Sequence, residues 1–205
     1  MQPMRTRHPS APTSIGASRR RWTVGDAARE SLPLHRAVAL TGTLIALVST
    51  LFGPLPITTA ITICALVPAA LVDVIDRRLP DRMVLTAAGL GVAALSIEVV
   101  VGGFDVSWSG VTLGILAMAG PLFAIHLITP SAMGFGDVKT AVVAGGAIGL
   151  FDPMLGLVAI TLGSAMAAIV GLAMRRRSVA FGPGLVGGAI LAMILAPIVL
   201  DGGTR

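Results

Sequence analysis

Runs of apolar residues divide this chain, and no feature limits its fold more. "MVLTAAGLGVAALSIEVVV", from Met83 to Val101, and "MLGLVAITLGSAMAAIVGLAM", from Met154 to Met174, are two of several. A helix crossing a bilayer needs roughly 20 such residues. In lipid every backbone polar group must be paired within the protein, which leaves helices or a closed barrel. The runs are continuous in Leu, Ala, Ile, Val and Gly and lack the alternation of a barrel strand. Only 12% of residues are charged, where a soluble domain carries about a quarter, and the mean hydropathy is +0.90. The fold class that follows is all-α: a polytopic membrane helical bundle of about seven transmembrane helices, a six-helix core plus one N-terminal helix.

Three regions are expected. Residues 1–36, rich in Pro, Ser and Arg, read as a disordered basic tail. Residues 37–56 hold an extra N-terminal helix, "AVALTGTLIALVSTLF", closed by "GPLP" and read as a retained anchor because it lacks a small-residue cleavage site. Residues 57–205 hold the remaining six spans. These run from Ile57 to Asp73 or a turn beyond, Met83 to Val101, Val106 to Ile128, Asp137 to Leu150, Met154 to Met174 and Val179 to Leu200. Pro54, Pro56, Pro80, Pro130 and Pro153 punctuate the joints.

The net charge is +5, and its distribution reads as topology. Seven arginines lie in the tail; Arg77, Arg78 and Arg82 follow span two, Lys139 edges span five, and Arg175, Arg176 and Arg177 precede span seven. The alternate joints, "GPLP", "GGFDVSWSG" and "FDP", carry no cation. The positive-inside rule then places the N-terminus in the cytoplasm and the C-terminus outside, in the cell membrane. Nucleic acid is not an expected partner, because no aromatic residues interleave the basic ones. The single cysteine, Cys64, is mid-run and reads as a small buried hydrophobe.

Few acids lie in or beside the spans. Glu98 is near the outer end of span three, where a long carboxylate side chain reaches water. Asp73 ends "CALVPAALVD", and Asp137 opens span five in "SAMGFGDVKTAV". An intramembrane carboxylate is costly and is by default a functional candidate with a partner. Span two travels inward and span five outward, so Asp73 and Asp137 fall at similar depth near the cytoplasmic face. Such a pair can share one proton, one acid activating water as base while the other protonates a peptide carbonyl. It needs no cofactor and no metal. The same two acids would also suit a proton relay or small transporter.

The motifs around the acids resemble those of the type IV prepilin peptidases, membrane aspartyl proteases that trim pilin precursors. "GFGDVK", Gly134 to Lys139, is similar to the family's G-x-G-D-x-K signature; "DVIDRRLPD", Asp73 to Asp81, resembles its first motif; and "FGPGLVGGA", Phe181 to Ala189, is similar to a segment near its C-terminus, with departures at Ala180 and Gly184. The resemblance covers Ile57 to Leu200. It implies that Asp73 and Asp137 are the catalytic pair, with Gly134, Gly136, Lys139, Asp76 and Pro80 in supporting places. Asp76 ranks second because its distance from Pro80 does not match. The implied substrate is a prepilin or pseudopilin, cut where its basic leader meets its apolar helix, in contact with the bilayer and with pilus-assembly machinery. A non-catalytic scaffold for that machinery is a further alternative. Family members that also methylate the new N-terminus carry an added cytoplasmic domain with cysteine pairs, which this chain lacks. A compact peptidase without methyltransferase activity is the expectation.

Among minor features, His126 reads as a buried, hydrogen-bonded histidine. Gly145 and Gly149 read as a small-xxx-small pair for close helix packing. Arg175 to Arg177 read as topology signals that can also touch acidic lipid.

Overall fold

A computed structural model describes residues 56–76, 79–130, 133–175 and 180–201, without the side chains at 75, 76 and 201. The basic tail, the extra N-terminal helix, Arg77, Arg78, Arg176, Arg177, the side chain of Asp76 and the C-terminal residues beyond 201 lie outside that set. Among the described residues there are six helices and no strand: α1 Ile57–Asp76, α2 Asp81–Gly102, α3 Trp108–Ile128, α4 Phe135–Gly149, α5 Met154–Ala173 and α6 Gly182–Asp201. Five of them, all but α4, contain stretches long and apolar enough to cross a membrane. The all-α membrane bundle is as the composition requires. The helix ascribed to residues 37–56 precedes the described part.

Ends shift by a few residues for local reasons. α2 starts at Asp81 because Pro80, with extended backbone (φ −71°, ψ 115°), stands at its cap position and needs no N–H there. α3 starts two residues later than expected, where Ser107 Oγ accepts from Gly110 N at 3.2 Å, a side-chain cap. α4 starts two residues earlier, so Asp137 lies within its first turn. α2 is capped after Gly102 by Gly103, whose left-handed φ of 62° lets its N–H reach the Glu98 carbonyl, a conformation glycine adopts without steric cost.

Packing is inverted relative to a soluble protein. Large apolar side chains point outward: Leu85, Val92, Val100, Leu116, Ile128, Ile169 and Leu172 are all exposed. The interior is rich in alanine, with Ala69, Ala87, Ala141, Ala144, Ala159, Ala189 and Ala192 buried around Leu66, Met118, Ile148, Leu155 and Leu185. Small residues let backbones meet where no hydrophobic gain separates helix from lipid. α3 meets α4 along Gly110 and Gly114 against Gly149 and Gly145; a Cβ on Gly110 would lie 2.6 Å from the Gly149 carbonyl oxygen. The close packing expected of Gly145 and Gly149 is therefore present. α5 meets α6 in a second such seam, where a Cβ on Gly163 would lie 2.6 Å from the Gly184 carbonyl oxygen. α1 is central, against α2, α4 and α6, and Thr59 Oγ1 donates to the Ala147 carbonyl of α4 at 2.6 Å.

Carboxylates recur at helix starts. Glu98 of α2 accepts from Ile57 N at 2.6 Å, from Thr58 N at 3.0 Å and from the Thr58 hydroxyl. It caps α1, which corrects the reading of Glu98 as a side chain reaching for water: the free N–H groups of a helix start are stronger partners for a carboxylate. Asp152 Oδ1 accepts from Met154 N at 2.7 Å at the start of α5. Between α2 and α3, floored by α1 and α4, is an apolar groove of about 910 Å³ that includes Thr62, Val92, Val111 and Gly146. It is near the capped start of α1, away from Asp73.

Candidate active site

The acids singled out in the sequence come from different helices. Asp73 is three residues from the end of α1 and only 6% exposed. Its Oδ2 accepts from the backbone N–H of Gly182, the first residue of α6, at 3.1 Å. That N–H has no partner within its own helix, and the partial positive charge of a helix start suits an acid. Gly182 is required here for space, since a Cβ on it would lie 2.8 Å from Asp73 Oδ2. Asp137, in the first turn of α4, is partly buried, and its buried Oδ1 has no hydrogen-bond partner among the described residues. The two carboxyl groups are near enough for the Asp73 charge to act on Asp137. Asp73, near the end of α1, and Asp137, at the start of α4, thus lie within range of one another's charge, with the start of α6 against Asp73.

Their depth follows from the glycine seams. Counting along antiparallel α3 and α4 from the Gly110–Gly149 and Gly114–Gly145 contacts, Asp137 stands level with Leu122. α3 continues past that level to Ile128, about 9 Å at 1.5 Å per residue. Along α5 and α6, counting from Gly163–Gly184 and Ala167–Gly184, Gly182 stands level with the stretch from Ala165 to Ile169, at least a turn short of the α5 end at Ala173. Both α4 and α6 therefore begin set back from the ends of their neighbours. Asp73, Asp137 and Gly182 gather at that inset level.

The supporting residues take distinct places. Gly134 precedes α4 with extended backbone (φ −70°, ψ 139°), and its carbonyl accepts from Asp137 N at 3.1 Å. Gly136 packs against the first motif; a Cβ there would lie 3.0 Å from Leu79 Cβ. Pro80 leads into α2, and Asp81, expected in a loop, is the first residue of that helix. Lys139 Nζ pairs with Asp81 Oδ1 at 2.8 Å and lies 5.4 Å from the centre of the Phe135 ring. It is held within the protein, so a role confined to topology does not describe it. His126 is half-buried, its Nδ1 3.1 Å from the Met133 carbonyl oxygen and its ring 5.4 Å from Phe135. It stays outside the acid pair. Cys64 is a free, partly buried thiol packed on the core.

Two relations escaped the sequence. Gly182 lies in "FGPGLVGGA", but its part is played by a backbone N–H, which no residue type advertises; a Gly-Pro step opening a span was the available signal. The partner of Lys139 is 58 residues away.

Comparison with known proteins adds a family. A model of the type IV leader peptidase family matches residues 60–198, a stretch that contains Asp73, Asp137 and Gly182. No curated protein and no solved structure matches the chain.

Proposed function

From the premise that the chain belongs to the type IV leader peptidase family, we propose that it is an aspartic endopeptidase. It removes the basic leader of type IV or Flp-type prepilins at the cytoplasmic face of the cell membrane. The observation that supports this reading is that two carboxylates from helices far apart in sequence, Asp73 near the end of α1 and Asp137 in the first turn of α4, lie within range of each other's charge. In this reading the pair works with one proton between its members. The ionised carboxylate takes a proton from water, whose oxygen attacks the scissile carbonyl, while the protonated partner gives its proton to the carbonyl oxygen. Collapse of the tetrahedral species then passes a proton to the leaving amine. The Gly182 N–H holds Asp73 Oδ2, and among the described residues the buried Asp137 Oδ1 has no hydrogen-bond partner, which leaves its bonding capacity for water or substrate in this reading.

The substrate class fits the site's depth. A prepilin's apolar helix stays in lipid and its leader stays in the cytoplasm, so the bond between them lies near the headgroups. The reading is of a peptidase without methyl transfer. The supporting residues are Gly134, Gly136, Pro80 and Lys139. The N-terminus is assigned to the cytoplasm, and pilus-assembly components are the expected company.

The test is co-expression with a prepilin, beside Asp73→Asn and Asp137→Asn variants. Each substitution keeps shape and removes the ionisable group. Leader removal should cease in both while membrane insertion persists. Trimming by either variant would remove that residue from the chemistry, and a proton relay or scaffold would then be the better account.

A further inference from the structure

Among the described residues no atom bonds to Asp137 Oδ1, and the backbone of α4's first turn sets where this acid stands. That turn is gripped from one side. Leu79 presses on Gly136, where no Cβ would fit without displacing it by a few tenths of an ångström. Two residues on, Asp81 Oδ1 accepts from Lys139 Nζ at 2.8 Å. The two contacts straddle Asp137, and both come from the entry into α2, Leu79 just before it and Asp81 as its first residue. We infer that Leu79–Asp81 is a clamp that fixes the start of α4 against the start of α2, making Leu79, Asp81 and Lys139 positioning residues for Asp137.

The chemistry supports a positioning role and no direct part in the reaction. Lys139 follows Asp137 by two residues, which places their side chains on different sides of the helix, and its ammonium is taken up by Asp81 and the Phe135 ring. Side chains of the pair are 41% and 71% exposed, so the bond is screened and modest in strength. A modest bond suits a device that sets alignment, since small displacements of a reacting group cost rate.

The inference rests on the peptidase reading, and its test separates the two. In a Cys64→Ser background, Leu79→Cys with Gly136→Cys sets two Cβ positions 3.0 Å apart, closer than the roughly 3.5–4.5 Å of a disulfide, so the two thiols bridge once the start of α4 backs off by about half an ångström. The rate of that cross-link in membranes reports the clamp without any activity. Adding Asp81→Ala or Lys139→Ala should slow it about two- to fivefold, the range an exposed ion pair supports. The exchange Asp81→Lys with Lys139→Asp should recover most of the rate. In the uncross-linked protein the same single variants should lower kcat for prepilin trimming by a similar factor with KM unchanged, and the exchange should restore it. A cross-link rate and kcat untouched by Asp81→Ala, or an exchange that restores neither, would overturn the clamp. A chain that trims no prepilin while its cross-link still follows the pair would sink the peptidase reading alone.

Discussion

Asp73 shows how much one residue's surroundings ask of its neighbours. It is buried, and its named partner is a backbone N–H across a gap closed only by a glycine. Gly182→Ala should therefore cut prepilin trimming by at least about tenfold, roughly 1.4 kcal/mol of barrier, because the new methyl falls on Asp73 Oδ2. A cleavage time course in membranes with equal protein levels checks this. Glu98 has the opposite profile. Glu98→Ala strips the cap from α1 and should cost about 1–2 kcal/mol of stability, seen as a lower Tm in detergent. Trimming at moderate temperature should persist, since Glu98 is at the other end of α1 from Asp73. At this scale the sequence was legible in type and illegible in partnership. A carboxylate in an apolar run is conspicuous, and so Asp73 and Asp137 stood out. What an acid binds depends on tertiary neighbours, and Glu98, Asp81 and Gly182 owe their roles to residues 40 or more positions away.

Helices meet here through absences of side chain. The α3–α4 seam puts four glycines face to face, and a Cβ on Gly145 would lie 2.5 Å from the Gly114 carbonyl oxygen. That obstacle is backbone and cannot swing aside. Gly145→Ala should cost about 1–3 kcal/mol as overpacking, read as earlier unfolding in a denaturing-detergent titration. Thr59→Val should be far milder, about 0.6 kcal/mol, the average for an interhelical side-chain bond in a membrane, although its hydroxyl joins α1 to α4 at 2.6 Å. The elements themselves were readable wherever an apolar run was long and ended at Pro, Gly or a capping Ser. Boundaries moved by two or three residues because caps such as Ser107 act from outside the apolar pattern. The Gly145–Gly149 spacing signalled one seam; the Gly163–Gly184 seam went unread, since glycines on two different runs give no period until the runs are paired.

For the whole molecule, the arrangement is large apolar side chains outside and small ones within, which suits a bundle solvated by lipid. Orientation can be checked directly. In a Cys64→Ser background, Asp105→Cys should react with a membrane-impermeant maleimide on intact cells, and Asp81→Cys only after the cells are opened. The reverse pattern would place Asp73 and Asp137 on the wrong side for a cytoplasmic leader. The inset start of α4 carries one more consequence. With 15 residues the helix measures about 22 Å, against roughly 30 Å of hydrocarbon. Beside Phe135 and Val142, the side chains α4 exposes, a bilayer that thins or headgroups that dip inward would bring hydration toward Asp137. Acyl-chain length then acts on turnover as a control knob: vesicles of long-chain lipids should slow the reaction by starving it of water, and short-chain ones should spare it.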